Sequence, residues 1–224
     1  MLPKLGFQPH GVLENYAMVA RPWRQYQARS RRMSPREIAR LARNSIWSFR
    51  RPPHSSTEWT SVLTLDRGDI PESAFRLHAS TFCIGVRSAA WLEYLQACPL
   101  MECSLFTLRQ VGVPRGYFLL NQVAGQCRII DLAVNSEAPH DWEEAYRAAV
   151  AAAFAHEATC EIMTVSSLPW LSDAFTTLGF LPGGQSPVML YDPSGKLTSA
   201  PPLHLRMTDN DACYLYEEAR PFLT

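Results

Sequence analysis

The chain has 224 residues, 47% of them hydrophobic and 19% charged, with a formal net charge of zero. That is the composition of a soluble globular protein with a substantial core. No apolar run approaches the roughly 18 residues that a spanning helix needs, and no signal-peptide core follows Lys4, so the expected compartment is cytoplasmic.

The zero net charge conceals an asymmetry. Residues 1–54 carry eleven basic and two acidic residues, a net +9, and the remainder is −9. Such a basic stretch either docks on the acidic body of its own chain or faces a polyanion, nucleic acid or anionic lipid.

In chain order, residues 10–21 read as one or two strands that complete a sheet. Ser34-Pro35-Arg36-Glu37 is a helix start, with Ser as N-cap, Pro in the first turn and Glu at N3. Ile38, Leu41, Ala42, Ile46 and Phe49 follow at helical spacing. Residues 51–56, rich in Pro and Ser, read as a linker, which divides the chain into a basic segment 1–54 and a body 55–224. In the body, a strand is expected over 59–65 and helices over 70–80 and 87–97. Three strands follow at 102–110, 116–123 and 127–134, separated by hairpin-like breaks. The Ala-rich stretch 141–156 is the strongest helix, with Trp142, Ala145, Ala149, Ala153 and Phe154 for one face. A strand at 161–165, a helix at 170–178 and a strand at 188–191 complete the order. The tail 203–211 resembles a last strand plus an acidic turn. The six tryptophans are spread over most elements and read as core anchors.

Leu5-Gly6-Phe7-Gln8-Pro9 recurs as Leu178-Gly179-Phe180-Leu181-Pro182. A Gly between two large hydrophobes suits a helix C-terminus, where Gly adopts the left-handed conformation and Phe re-enters the core. With the β-α-α-β-β-β-α-β-α-β order, this closing Leu-Gly-Phe resembles the GNAT (N-acetyltransferase) superfamily. Residues 87–99 resemble a segment of GNAT-like proteins found as tandem domains, and residues 116–120 and 128–134 resemble their third and fourth strands. The resemblance covers about residues 59–193. It implies an α/β (α+β) fold, a mixed and largely antiparallel sheet with helices on both faces. It also implies that the first Leu-Gly-Phe ends a preceding GNAT unit whose cofactor-binding part is not in this chain.

The function implied is N-acetyl transfer, from acetyl-CoA or another acyl-CoA as co-substrate to a small-molecule or peptide amine. Leu132, Ala133 and Val134 would pair with the pantetheine arm, and the next loop and helix start would cradle the pyrophosphate, as helix N-termini do. Here that loop is Asn135 to His140, without the usual glycines. Pro139 removes one donor, Asp141, Glu143 and Glu144 add negative charge, and His140 is the residue able to offset it. Phe175 stands on the cofactor side, where many such enzymes place a Tyr that protonates the leaving thiolate. Asp131 is the candidate base, or a structural acid paired with Arg128 or Arg115. Tyr117 and Tyr191 are the remaining hydroxyls near the implied cleft. The alternative is a GNAT-like domain that no longer catalyses and serves as a binding or interaction module. No metal is expected: the histidines and the six cysteines lack ligand spacing, and the cysteines read as buried reduced thiols. No nucleic-acid or membrane partner is singled out. Pairing with a second copy through an exposed sheet edge is an expectation of the incomplete repeat.

Overall fold

The computed structural model describes residues 6–29, 34–49, 58–64, 70, 72, 75, 81–99, 101–197, 200–210 and 222–224. The linker at 51–56 and most of the helix expected over 70–80 lie outside these residues. The order is β1 (Phe7–Val19), α1 (Pro22–Arg29), α2 (Pro35–Ser48), β2 (Trp59–Leu63), β3 (Cys83–Ile84), α3 (Ala89–Ala97), β4 (Glu102–Gln110), β5 (Val113–Val123), β6 (Gln126–Val134), α4 (Pro139–Ala155), β7 (Glu161–Ser166), α5 (Pro169–Thr177), β8 (Leu181–Tyr191) and β9 (Leu203–His204). A short 3-10 turn at Met207–Asp209 follows β9.

Seven strands form one sheet in the order β2-β4-β5-β6-β7-β1-β8. Every pairing in it is antiparallel except β6 with β7. This is the mixed, largely antiparallel sheet that the element order implied. Helices cover both faces. On one face α4 and α5 pack Trp142, Tyr146, Ala149, Leu171 and Phe175 against Tyr16, Phe118, Ile129 and Leu132. On the other, Leu92 and Leu95 of α3 pack against Leu105, Tyr117, Leu119 and Val165.

The segment 1–54 supplies an interior strand. β1 runs between β7 and β8, with Glu14 opposite Ser166 on one side and Gln185 on the other. Three arginines of this segment, Arg21, Arg24 and Arg29, dock in cis. Arg21 donates to the carbonyls of Phe154, His156 and Thr159 at 2.7, 3.1 and 2.6 Å. Arg24 donates to Glu157 O, and Arg29 to Thr224 O and Phe222 O. These are backbone oxygens, three of them at the C-terminal end of α4, where helical carbonyls lack partners and a cation suits the dipole.

Ser34 caps α2 as expected, its hydroxyl accepting from Glu37 N at 3.3 Å. The helix is turned the other way from its apolar stripe. Asn44 and Ser48 are buried, whereas Ile38, Ile46 and Phe49 are exposed, Phe49 at 87%. The reason is a buried polar chain that needs its members: Asn44 Nδ2 donates to Gln25 Oε1 at 2.8 Å, and Gln25 Nε2 reaches Thr224 Oγ1 at 2.8 Å. Burying polar groups with partners in place outranks burying Ile38 and Ile46. Trp59 and Trp142 are core anchors, but Trp23 is exposed and stacks on Tyr26. The five described cysteines are free thiols. No helix among the described residues is long and apolar enough to cross a membrane.

Candidate functional site

β6 and β7 pair through only three residues each, Gln126–Arg128 with Glu161–Met163. Thr164 Oγ1 still reaches Ile129 O at 3.3 Å, and beyond that point the two strands share no register. The tail occupies the gap. Ser167, next after β7, donates from Oγ to Leu203 O at 2.5 Å and accepts from Leu205 N at 2.8 Å. His204 is fully buried, its ring 5.0 Å from that of Trp142 and 5.7 Å from that of Phe82. Arg206 Nη1 donates to Asp131 Oδ1 on β6 at 2.8 Å, and its Nη2 to Gly85 O at 3.0 Å. Residues 203–206 therefore bridge both strands at the open end of the splay. The tail does form a last strand, a two-residue parallel pair with β3 outside the main sheet, and its acidic turn is the 3-10 turn tied back to Arg87 and Arg206.

Asp131 sits at the centre of this closure. Besides Arg206, its oxygens accept from Arg87 Nε at 3.0 Å, Thr208 Oγ1 at 2.5 Å and Tyr117 OH at 3.2 Å. Asp209 Oδ1 accepts from Arg87 Nη2 at 2.6 Å, so two carboxylates neutralise two guanidiniums. Arg87 also lies over the Trp91 ring at 4.3 Å. The partners expected for Asp131 were Arg128 or Arg115; the structure corrects both. Arg128 Nε turns to Gln126 Oε1 two places back, and Arg115 is exposed at the loop beside Asn135. A register shift against β5 between Ile129 and Asp131 breaks the alternation. Leu132 and Val134 join Ile129 on the α4 face, while Asp131 is delivered toward Tyr117 on the other. Burial, and then the charge of Asp131, raises the Tyr117 pKa well above its ordinary value. Burial is the largest influence on Arg206 and opposes its charge, but Asp131, together with Tyr117, Asp209 and Tyr146, raises its pKa on balance. Burial lowers the His204 pKa, with Arg206 and Arg87 adding to it, and no described group bonds either ring nitrogen. His204 is a neutral packing ring here.

The other predicted site residues lie apart. Leu132, Ala133 and Val134 are buried, Leu132 and Val134 in the core beneath α4. His140 is exposed on the first turn of α4. Phe175 is fully buried, its ring 4.9 Å from Tyr16 and 4.7 Å from Tyr146. Tyr191 is 58% exposed at the end of β8, against Phe7 and three strands away from β6. Of the polar ones, only Asp131 and Tyr117 are brought together, with Ala133 opposite Tyr117 in the β5–β6 register.

The loop before α4 does not present its backbone to a phosphate. Asn135 N donates to Arg115 O, Ser136 N to Val134 O and Ala138 N to Ser136 Oγ. Pro139 has no N–H, and Trp142 Nε1 closes the loop on Ser136 O at 2.8 Å. A phosphate cradle needs such donors free. Asp141 adds negative charge in the first turn of the same helix, while Glu143 and Glu144 are paired with Arg147. The residues present therefore do not fit acyl-CoA in either half of the groove. Among the described residues no group of three His, Cys, Asp or Glu side chains is placed to hold a metal ion.

No protein-family model matches the chain, and no curated protein matches it in sequence. Among solved structures, a protein of Enterococcus faecalis V583 described as a probable N-acyltransferase superposes with a TM-score of 0.52 at 12% identity, over 84% of this chain and 42% of that one. A GCN5-related N-acetyltransferase from Anabaena variabilis and Eis1 from Mycobacterium abscessus align at 13% and 15% identity, with TM-scores of 0.47 and 0.45. Each covers 84% of this chain, which spans 42% and 43% of theirs. The fold is that of the GNAT N-acetyltransferases. The chain spans less than half the length of these structures.

Proposed function

We propose that the chain is a GNAT-fold domain that works by binding rather than by acyl transfer, its acyl-CoA groove filled by residues 203–206. The observation that carries this reading is the bridge itself. Ser167 at the end of one strand and Asp131 on the other are both bonded to the same short segment of tail. A pantetheine arm needs the edge that these groups cover, and in the loop before α4 the N–H groups of Asn135, Ser136 and Ala138 already have protein partners. Calorimetry of the whole chain with acetyl-CoA at millimolar concentration is expected to give no heat, and a panel of small-molecule and peptide amines no acylation. Micromolar binding or acyl transfer at ordinary enzymatic rates overturns the reading.

The fold favours a second reading, acyl transfer from acyl-CoA to an amine. It requires residues 203–206 to leave the groove, with Asp131 and Tyr117 then the polar groups exposed there. Arg206→Ala removes the contacts to Asp131 and Gly85. Under the second reading that variant gains acetyl-CoA binding, and under the first it only loses stability.

A further inference from the structure

β7 ends opposite Glu14, and the chain turns into α5 at Pro169, while β1 runs on toward its N-terminal end beside β8 alone. A cleft of about 460 Å³ opens between them, walled by Gly11, Ser166, Leu168, Pro169 and Ser172, with Glu14 at one side. The β1–β8 register shifts between Pro9 and Val12, and Gly11 has φ +126° with no atom within 4 Å of where a Cβ would stand. The backbone leaves this space open.

Glu14 is held in place. Its Oε2 accepts from Ser172 Oγ at 3.2 Å and from the Tyr16 hydroxyl, and its Oε1 from Gln185 Nε2 at 2.5 Å. All three donors are neutral, and among the described residues no cation pairs with this carboxylate. Donation by Tyr16 and then Gln185 lowers the Glu14 pKa below its ordinary value, so it is an anion at neutral pH. Asp173, next to Ser172 on α5, is exposed and adds to the negative potential felt at Tyr16. An oriented anion without a counter-charge, beside the exposed apolar surface of Val12 and Pro169, matches a cation on a short alkyl stem.

The geometry points to a binding site for an alkylammonium or alkylguanidinium group in this cleft, its charge on Glu14 and its stem along Val12 and Pro169. The cleft borders Ser167, which also holds the tail at residues 203 and 205, but its test uses no acyl-CoA, so its failure and that of the proposed function are separate results.

The whole chain is titrated with n-butylammonium chloride at fixed ionic strength while the Gly11 and Ser172 amide resonances are followed. Saturable shifts at both are expected, and none with n-butanol or butyrate at equal concentration. Glu14→Gln is expected to weaken binding at least tenfold and Asp173→Asn two- to threefold. Ser172→Lys keeps the carboxylate and supplies a tethered cation; it is expected to abolish butylammonium binding, which keeps the test informative if Glu14→Gln fails to fold. N-acetyl-lysine methylamide binding tighter than butylammonium assigns a peptide-borne cation, and the reverse order a free amine. Equal shifts with n-butanol, undiminished binding by Glu14→Gln, or undiminished binding by Ser172→Lys overturns the site.

Discussion

Asp131 is neutralised where it stands, with two guanidiniums, a hydroxyl and a phenol bonded to a carboxylate that is 1% exposed. Breaking a buried ion pair by removing one partner costs far more than the pair contributes, because the other charge is stranded. Asp131→Asn leaves Arg87 and Arg206 facing each other with only Asp209 between them. It is expected to destabilise the chain by about 3–5 kcal/mol, read as a lower urea midpoint at pH 7. The sequence marked Asp131 out, since a carboxylate between Ile130 and Leu132 in a strand demands an explanation. Its partners were hidden because Arg87 and Arg206 lie 44 and 75 residues away, beyond any local periodicity. Glu14 left no signal at all. A Glu in a strand is ordinary, and only the turning-away of β7 makes it the side of a cleft.

Elements whose hydrophobic period matches their burial were legible, and those governed by polar partners were not. α4 buries Trp142, Ala145, Ala149 and Ala153 as their spacing demands, with Phe154 half-buried. Burial extends round the helix to the Glu144–Arg147 pair, which the apolar period did not show. β8 is longer than the strand expected over 188–191 because Pro182, Gly183, Gly184 and Pro187 read as breakers. It lies at the sheet edge, the one place where a missing N–H and a missing side chain cost little. α1 went unread for want of an apolar repeat: its buried residue is Gln25. The end of α4 illustrates the same rule. No basic residue stands in its last turn, and Arg21 supplies one from outside, reaching the carbonyls of Phe154 and His156 there and that of Thr159 just beyond. Arg21→Ala is expected to cost about 1–2 kcal/mol, the range for a partly buried cation at a helix C-terminus. The loss is measured by thermal melting, with Arg21→Lys recovering part of it.

At the scale of the molecule, Glu161 ties distant parts of the chain to the start of β7. Its carboxylate accepts from Gln126 Nε2 at 2.7 Å, Leu223 N and Thr224 N at 2.9 Å each, and Gln25 Nε2 at 3.3 Å. Glu161→Gln turns one acceptor into an amide that faces donors. It is expected to cost about 1–3 kcal/mol, the penalty for an unsatisfied buried group. Faster proteolytic loss of residues near 222–224 than of β7 would show where the tie was cut. The family resemblance was legible in the order of elements and in the second Leu-Gly-Phe. The interior position of β1 was not, because strand neighbours follow from pairing and not from sequence proximity.

That position sets an order of events during synthesis. β1 leaves the ribosome before both of its neighbours, and its Glu14 meets Ser172 only across 158 residues. Long-range pairings of this kind form late and slowly, since loop closure is required before any contact rewards it. Until β7 and β8 arrive, the apolar run Tyr16–Ala20, buried in the finished sheet, lacks both of its strand partners. The nascent protein therefore passes through a stage in which this strand is open to association with other chains.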